Sequence, residues 1–305
     1  MIPFHPLTLA DKDIIVQSVY PTDNRDCNLS FINLISWSFL YHTEVALHKG
    51  WLLFRFKADG HNAYMSPIGQ GDWKAIMQEL IADSEQQGHP FLMFDVCERS
   101  FAMLDAAMPG CFYASADRNF TDYLYFRTKL ATLSGKKLQA KRNFVNRFTA
   151  AHPDYTFESL NPSHFDECLR LDTLWAQEKT KETDAGDFTY ESERCAMQTV
   201  FDHWAELEGR GGVIRVDGKI IAFTYGAPIN SDTFDVCAEK ADTSFEGAFA
   251  TINRDFARSL PEQFIYLNRE EDLGIEGLRH SKLSYHPELL LHKYTVTTKH
   301  LPTLH

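Results

Sequence analysis

Residues 127–148 hold seven Lys or Arg and no Asp or Glu, in a chain of 305 residues with a formal net charge of -12. Guanidinium and ammonium groups gathered in this way suit phosphate or carboxylate oxygens. If LSGKKLQAKRNFVNRF is helical from about Lys136, Lys137 and Lys141 fall on one face with Phe144 and Phe148 in the same row, and Arg142 and Asn146 form an adjacent stripe. Lys136 and Asn143 add donors near the helix start, where unpaired backbone N–H groups strengthen the positive field. Lys136, Lys137, Lys141, Arg142, Asn143 and Asn146 are therefore candidate contacts to an anionic ligand. The same pattern also describes a solvated basic helix that buries Leu138, Val145 and Phe148 and answers the acidity of the flanking halves.

A second stretch with chemical potential is NREEDLGIEGLRHSKLSYHP, directly after a predicted buried strand. Loops at the ends of such strands are where α/β folds hold ligands. Asn268, Arg269, Glu270, Glu271 and Asp272 offer a general base, and Arg279, Lys282 and Tyr285 offer groups to orient an anion or donate a proton. Glu271 and Asp272 are neighbours, so one of them faces inward. An acidic surface turn before a capped helix is the alternative. Upstream, alternation along TFDVCAEK puts Asp235 and Glu239 on one side with Cys237 between them, which makes Glu239 a candidate base. Cys237 has no suggested histidine partner. In SFEGAF, Phe245, Gly247 and Ala248 sit at a helix start suited to phosphate, or at an ordinary helix entry.

The elements that must position these groups are clearest in the second half. A strand is predicted over Tyr155–Leu160, then a helix from Pro162 to Glu178 capped by Ser163, then a helix over Glu191–Glu208. GGVIRVDGKIIAFTYGAP reads as a hairpin, Val213–Val216 and Lys219–Tyr225, turning at Asp217-Gly218, the dipeptide that favours a type I′ turn. A third strand over Thr233–Lys240, a helix ending before Pro261, a strand QFIYLN, a short helix near Ile275–Leu283 and a final strand Leu289–Val296 follow. The first half carries a weaker copy of this order, with Lys49-Gly50 at the hairpin turn, DWKAIMQELIADSEQQGH as the long helix and FLMFDV as the fifth strand. Two tandem α/β (α+β) copies are expected, 1–126 and 151–305, joined by a basic junction helix over 127–150.

Charge is partitioned accordingly, -7 over 1–126, +7 over 127–148 and -12 over 149–305. Diffuse acidity disfavours a DNA duplex as partner and leaves room for a local anion site. Six cysteines without a CxxC pair, and histidines without HExxH spacing, suggest neither a disulfide framework nor a built-in metal. No apolar run reaches the ~18 residues of a membrane span, and no signal pattern opens the chain, so a cytoplasmic protein is expected.

The element order resembles the acetyltransferase-like fold called GNAT, in which each copy is a mixed, mainly antiparallel sheet flanked by helices. SGKKLQAKRNFVNRF, GVIRVDGKIIAFTYG, SFEGAFATINRDFA and YLNREEDLGIEGLRHSKLSYHPELLLHKY, in that order, resemble the family of the phosphatidylglycerol lysyltransferase C-terminal domain, within the Fem-type ligases built from paired GNAT-like domains. The resemblance implies direct transfer of an acyl or aminoacyl group from a CoA thioester or aminoacyl-tRNA to an amine or hydroxyl of a small molecule or lipid headgroup. It implies no built-in cofactor. Ordinary GNAT enzymes bind the CoA pyrophosphate with an Arg/Gln-x-x-Gly-x-Gly/Ala loop, and Ser244–Phe249 keeps only its middle glycine. A non-catalytic protein that binds an anionic metabolite is the contrasting reading.

Overall fold

A computed structural model of the chain describes residues 1–58, 60–179 and 189–299, without the side chains of 175–179. Two sheets form. The first runs His5–Pro6, Glu44–His48, Trp51–Ala58, His61–Met65, Leu92–Val96, Tyr294–Thr298 and Phe112–Ala116, with Ile68–Gly69 paired to Trp51–Ala58. The second runs Thr156–Ser159, Arg210–Val216, Lys219–Pro228, Thr233–Ala241, Tyr266–Asn268, Asp122–Phe126 and Leu289–Leu291.

The two sheets follow one plan. Each has four successive antiparallel strands, then a parallel step, then two antiparallel strands. Both hairpins turn through residues that are left-handed at two consecutive positions: Lys49 and Gly50 at φ 51° and 83°, Asp217 and Gly218 at φ 50° and 78°. Those angles are what a type I′ turn demands, so the two dipeptides act alike.

The plan is completed by exchange. Asp122–Phe126 precedes the basic segment in sequence, yet lies in the second sheet between Tyr266–Asn268 and Leu289–Leu291. Tyr294–Thr298, from the end of the described chain, lies in the first sheet between Leu92–Val96 and Phe112–Ala116. The single strand expected over Leu289–Val296 is therefore two short strands in different sheets, divided at His292 and Lys293. A shared core reinforces the tie, because Ile32, Leu34 and Phe54 of the first half cluster with Met197, Val213 and Phe223 of the second.

The basic segment is also broken. Arg127–Thr132 is one helix, Leu133 turns left-handed at φ 49°, and a second helix runs Gln139–Ala151 after a short 3-10 turn. Two smaller expectations change. The helix expected over Glu191–Glu208 divides at His203, and the cap ahead of Phe165–Lys179 is Asn161, whose side chain accepts from the Ser163 N–H. Among the described residues no helix is long and apolar enough to cross a membrane.

Candidate active site in the cleft between the sheets

In the second sheet the parallel pairing of Thr233–Ala241 with Tyr266–Asn268 covers only Thr233↔Tyr266, Phe234↔Leu267 and Asp235↔Asn268. The strands then part. Val236, Cys237, Ala238, Glu239 and Lys240 line the cavity that opens there, of about 1330 Å³. Lys141 and Phe144 of the junction helix form one wall, and Arg269, Glu270, Glu271, Lys282 and Tyr285 another. Asn28, Asn33 and Asp95, from the first half, close the far side.

At the end near the junction helix, cations and aromatic rings interleave. The Lys141 Nζ stands 4.1 Å from the centre of the Tyr285 ring. The Arg269 guanidinium stacks on the same ring at 4.9 Å and on Tyr125 at 5.7 Å. Burial, reinforced by the charge of Arg269 and opposed by Glu239, brings the Lys141 ammonium down to about 8. Arg269 Nη2 donates to Glu239 Oε1 at 2.9 Å, and Asn253 Nδ2 donates to Oε2 at 3.0 Å. Arg269 Nη1 is buried and has no hydrogen-bond partner among the described residues. The arrangement brings a fixed carboxylate, a guanidinium and a desolvated amine to one end of the cavity.

The helix Ala248–Ser259 begins at this wall, with Phe245 and Gly247 lining it. Gly247 has φ +90°, and a Cβ there would meet the Phe144 carbonyl oxygen at 2.4 Å. The glycine therefore permits the junction helix to lie directly against the loop. Ala248 is buried behind it, its N–H donating to the Phe245 carbonyl at 3.0 Å.

The opposite end is acidic. Lys293, in the link between the two last strands, places its Nζ 2.9 Å from Asp122 and 3.3 Å from Asp26, and also pairs with Glu271. Burial opposes its charge, but these carboxylates and Cys27 dominate and hold its titration well above the ordinary lysine range. Asp95, left-handed at φ 57°, accepts from Asn28 Nδ2 at 3.3 Å. Burial pushes its carboxyl up to about 6 against the pull of Lys293. Burial likewise raises Glu270, with Asp235 and Glu271 adding to it.

The cavity thus brings together Lys141, Glu239, Phe245, Gly247, Glu271, Lys282 and Tyr285 of the residues singled out in the sequence. Lys282 holds the loop itself, its Nζ donating to the Arg269 carbonyl at 2.5 Å and to the Glu271 carbonyl. Other candidates are engaged elsewhere. Asp272 is fully buried and accepts from Arg279 at 2.7 and 2.9 Å, Arg118 at 3.1 Å, Tyr123 at 2.5 Å and the Gly274 N–H at 2.9 Å. These donors outweigh burial and hold it at about 2. Asn268 ties the Arg25 carbonyl and Asp122, both at 2.7 Å. Arg142 donates to the carbonyls of Leu133 and Gly135, completing the break between the two basic helices. Lys136, Lys137, Asn143 and Asn146 are exposed.

Asp26, Asp95, Asp122 and Lys293 are site residues that sequence reasoning did not single out. They come from four separate stretches of sequence, and the strand exchange brings Asp122 and Lys293 together. A buried lysine splitting the apolar run LLLHKYTV was the single local signal.

Comparison with known proteins places the chain. A family model described as phosphatidylglycerol lysyltransferase, C-terminal, matches residues 21–297. A crystal structure of a conserved protein of unknown function from Bacteroides thetaiotaomicron is 47% identical, covering 98% of this chain and 100% of that one, with a TM-score of 0.94. The structure of L-PGS from Bacillus licheniformis shares the fold at 14% identity and a TM-score of 0.66, covering 98% of this chain and 94% of that one. FemX does so at 8% identity and a TM-score of 0.62, covering 96% and 97%. An uncharacterised protein of Mycoplasmoides gallisepticum is 25% identical over 177 residues, and the match spans 56% of that relative's length. The paired, mainly antiparallel sheets, the parallel step that opens the cavity and this match over nearly the whole chain make it a member of the phosphatidylglycerol lysyltransferase C-terminal domain family.

Proposed function

We propose that the protein transfers an acyl or aminoacyl group from a CoA thioester or aminoacyl-tRNA to an amine or hydroxyl acceptor, in the cavity beside Thr233–Ala241. The observation that carries this reading is the parting of the parallel strands after Asp235↔Asn268, beside a cavity that Lys141 and Arg269 also line. Backbone N–H groups along an unpaired strand edge are donors for the oxyanion of a tetrahedral intermediate. Glu239 is fixed by Arg269 and Asn253, and each carboxylate oxygen retains a lone pair to take the acceptor's proton. The acceptor attacks the carbonyl, its proton passes to Glu239 and on to the departing sulfur or ribose oxygen, and the carrier leaves as its thiol or tRNA hydroxyl. No covalent enzyme intermediate is required. Family and fold neighbours support transferase chemistry of this class.

The test pairs binding with turnover. Acetyl-CoA, longer acyl-CoA thioesters and aminoacyl-tRNA are screened for a rise in melting temperature, and the stabilising carrier is then assayed with amine and hydroxyl acceptors. Glu239→Gln is expected to keep carrier binding and lose at least 100-fold in transfer rate. Stabilisation by unrelated anions alone, with no transfer to any acceptor, would favour the non-catalytic reading. That second reading has one observation on its side, the single glycine of the Ser244–Phe249 loop, packed against the junction helix.

A further inference from the structure

Beside the cavity, Asp235, Cys237 and Glu270 each offer a ligand atom, and the three atoms lie within 4.8 Å of one another. Asp235 is fully buried. Its Oδ2 accepts from Ser30 Oγ at 2.6 Å and from Cys237 Sγ at 3.4 Å, while Oδ1 has no hydrogen-bond partner among the described residues. An orphaned carboxylate oxygen at zero exposure is costly unless a proton or a cation occupies it.

The nearby ammonium groups are committed elsewhere. Lys293 serves Asp26, Asp122 and Glu271, and Lys282 serves two backbone carbonyls. A comparison within the molecule sharpens the point. Asp26, Cys27 and Asp122 form a second trio of two carboxylates and a thiol, also within 4.8 Å of one another, and there the Lys293 Nζ supplies the cation. The Asp235 trio has the donor set without the lysine.

A small ion held within the wall would supply the missing charge. Cys237 and Glu270 line the cavity, and Asp235 lies behind them, out of reach of an ammonium group on a ligand in the cavity. An ion at about 2.0–2.3 Å from each donor would bridge all three after small side-chain rotations. A mixed carboxylate and thiolate set suits zinc or cobalt(II) better than magnesium or calcium, which take oxygen donors.

We propose that Asp235, Cys237 and Glu270 form a divalent transition-metal site, selective for zinc-like ions, with its open coordination position toward the cavity. On binding, the Cys237 thiol gives its proton to solvent and the thiolate joins the two carboxylates, so the site gains the ion's two charges and loses its bound protons. The site is independent of whether the cavity transfers acyl groups.

Cobalt(II) alone, titrated into metal-free full-length protein, tests it. The expected result is one tightly held ion per chain, with a thiolate-to-cobalt charge-transfer band that is absent in Cys237→Ser and unchanged in Cys195→Ser, whose cysteine is exposed. Zinc alone is expected to raise the melting temperature of the parent protein, and Asp235→Asn to need at least tenfold more zinc for the same rise. Thermal melts in EDTA show whether each variant is folded. No retained cobalt in the parent protein, or a band that survives Cys237→Ser, would overturn the site and leave a shared proton on the carboxyl pair. If Cys237→Ser does not fold, the zinc shift of Asp235→Asn decides alone, an unchanged shift being the adverse result.

Discussion

Lys141 and Tyr285 meet with the ammonium 4.1 Å from the ring centre, across the gap between the junction helix and the turn that follows the helix Glu276–Leu283. The contact sets the one basic side chain of the helix Gln139–Ala151 that lines the cavity, since Arg142 and Arg147 are engaged elsewhere. Burial brings this ammonium down to about 8, so it is charged at neutral pH and loses its proton as pH rises through that value. Carrier affinity is expected to fall between about pH 7 and pH 9. Lys141→Arg, charged throughout this range, should flatten the profile, and Lys141→Met should weaken binding about tenfold at pH 7 and abolish the dependence. Calorimetric titration of the stabilising carrier at four pH values checks it; a parent profile matching that of the Met variant would exclude Lys141 from the carrier site.

Gly247 gives a sharper steric test. Its φ of +90° disfavours any side chain, and an added Cβ collides with the Phe144 carbonyl oxygen at 2.4 Å. Gly247→Ala should cost about 2 kcal/mol in urea unfolding and push the junction helix away from the cavity wall. Gly218→Ala is the control: it too has positive φ, but a Cβ there meets nothing within 4 Å, so the expected loss is about 1 kcal/mol. Equal losses at the two positions would show that contact with the helix adds nothing.

Much of this fold is legible in local sequence because its signals are local. Asp217-Gly218 turns through left-handed residues as its type predicts, Lys49-Gly50 turns in the parallel place, and a strand forms over Thr233–Ala241 where Thr233–Lys240 was expected. Residues expected near one another came together where they lie close in sequence, as Glu239 and Cys237 do on one strand, and Lys282 and Tyr285 at the end of one helix. Exchange of Asp122–Phe126 and Tyr294–Thr298 was not legible, because a strand's composition does not say which sheet receives it. With the exchange hidden, the meeting of Asp26, Asp122 and Lys293 was hidden too. Net charge misled in one respect. Arg127 and Arg142 belong to the basic run, but the first is buried against the carbonyls of Phe264 and Ala257 and the second bridges a helix break. A guanidinium spent on backbone acceptors looks the same in sequence as one that binds a ligand.

Asp272 illustrates a candidate base that is instead a structural anion. Two arginines, a tyrosine and a backbone N–H hold its carboxyl at about 2, below the ordinary value near 3.9. A folded-state value below the unfolded one adds stability that is present above about pH 4 and lost as pH falls toward 2. Asp272→Asn should therefore destabilise the protein by about 3 kcal/mol at pH 7, where it leaves Arg118 and Arg279 without their shared partner, and by progressively less in acid. Urea unfolding of both proteins from pH 7 to pH 3 measures the difference. A constant difference across that range would mean the ion pair is not the source of the stability.

Lys293 is the polar link between the exchanged strands, and its contribution depends on its surroundings. The ammonium stands among Asp26, Asp122 and Glu271, deep in the protein, so removing it leaves several carboxylates with no compensating charge. Breaking a buried ion pair from one side costs about 3–5 kcal/mol, whereas replacing both sides with neutral groups of similar size is often close to neutral. Lys293→Met is thus expected to lose most of that amount, and Lys293→Met with Asp122→Asn to regain at least half of it, even though Asp122→Asn alone is destabilising. Because Tyr294–Thr298 follows directly and completes the first sheet, hydrogen exchange should show the loss first in Leu92–Val96 and Phe112–Ala116, the strands on either side. If the double variant is as unstable as the sum of the single ones, Lys293 does not act through Asp122, and the exchanged strand is held by packing around Val296 alone.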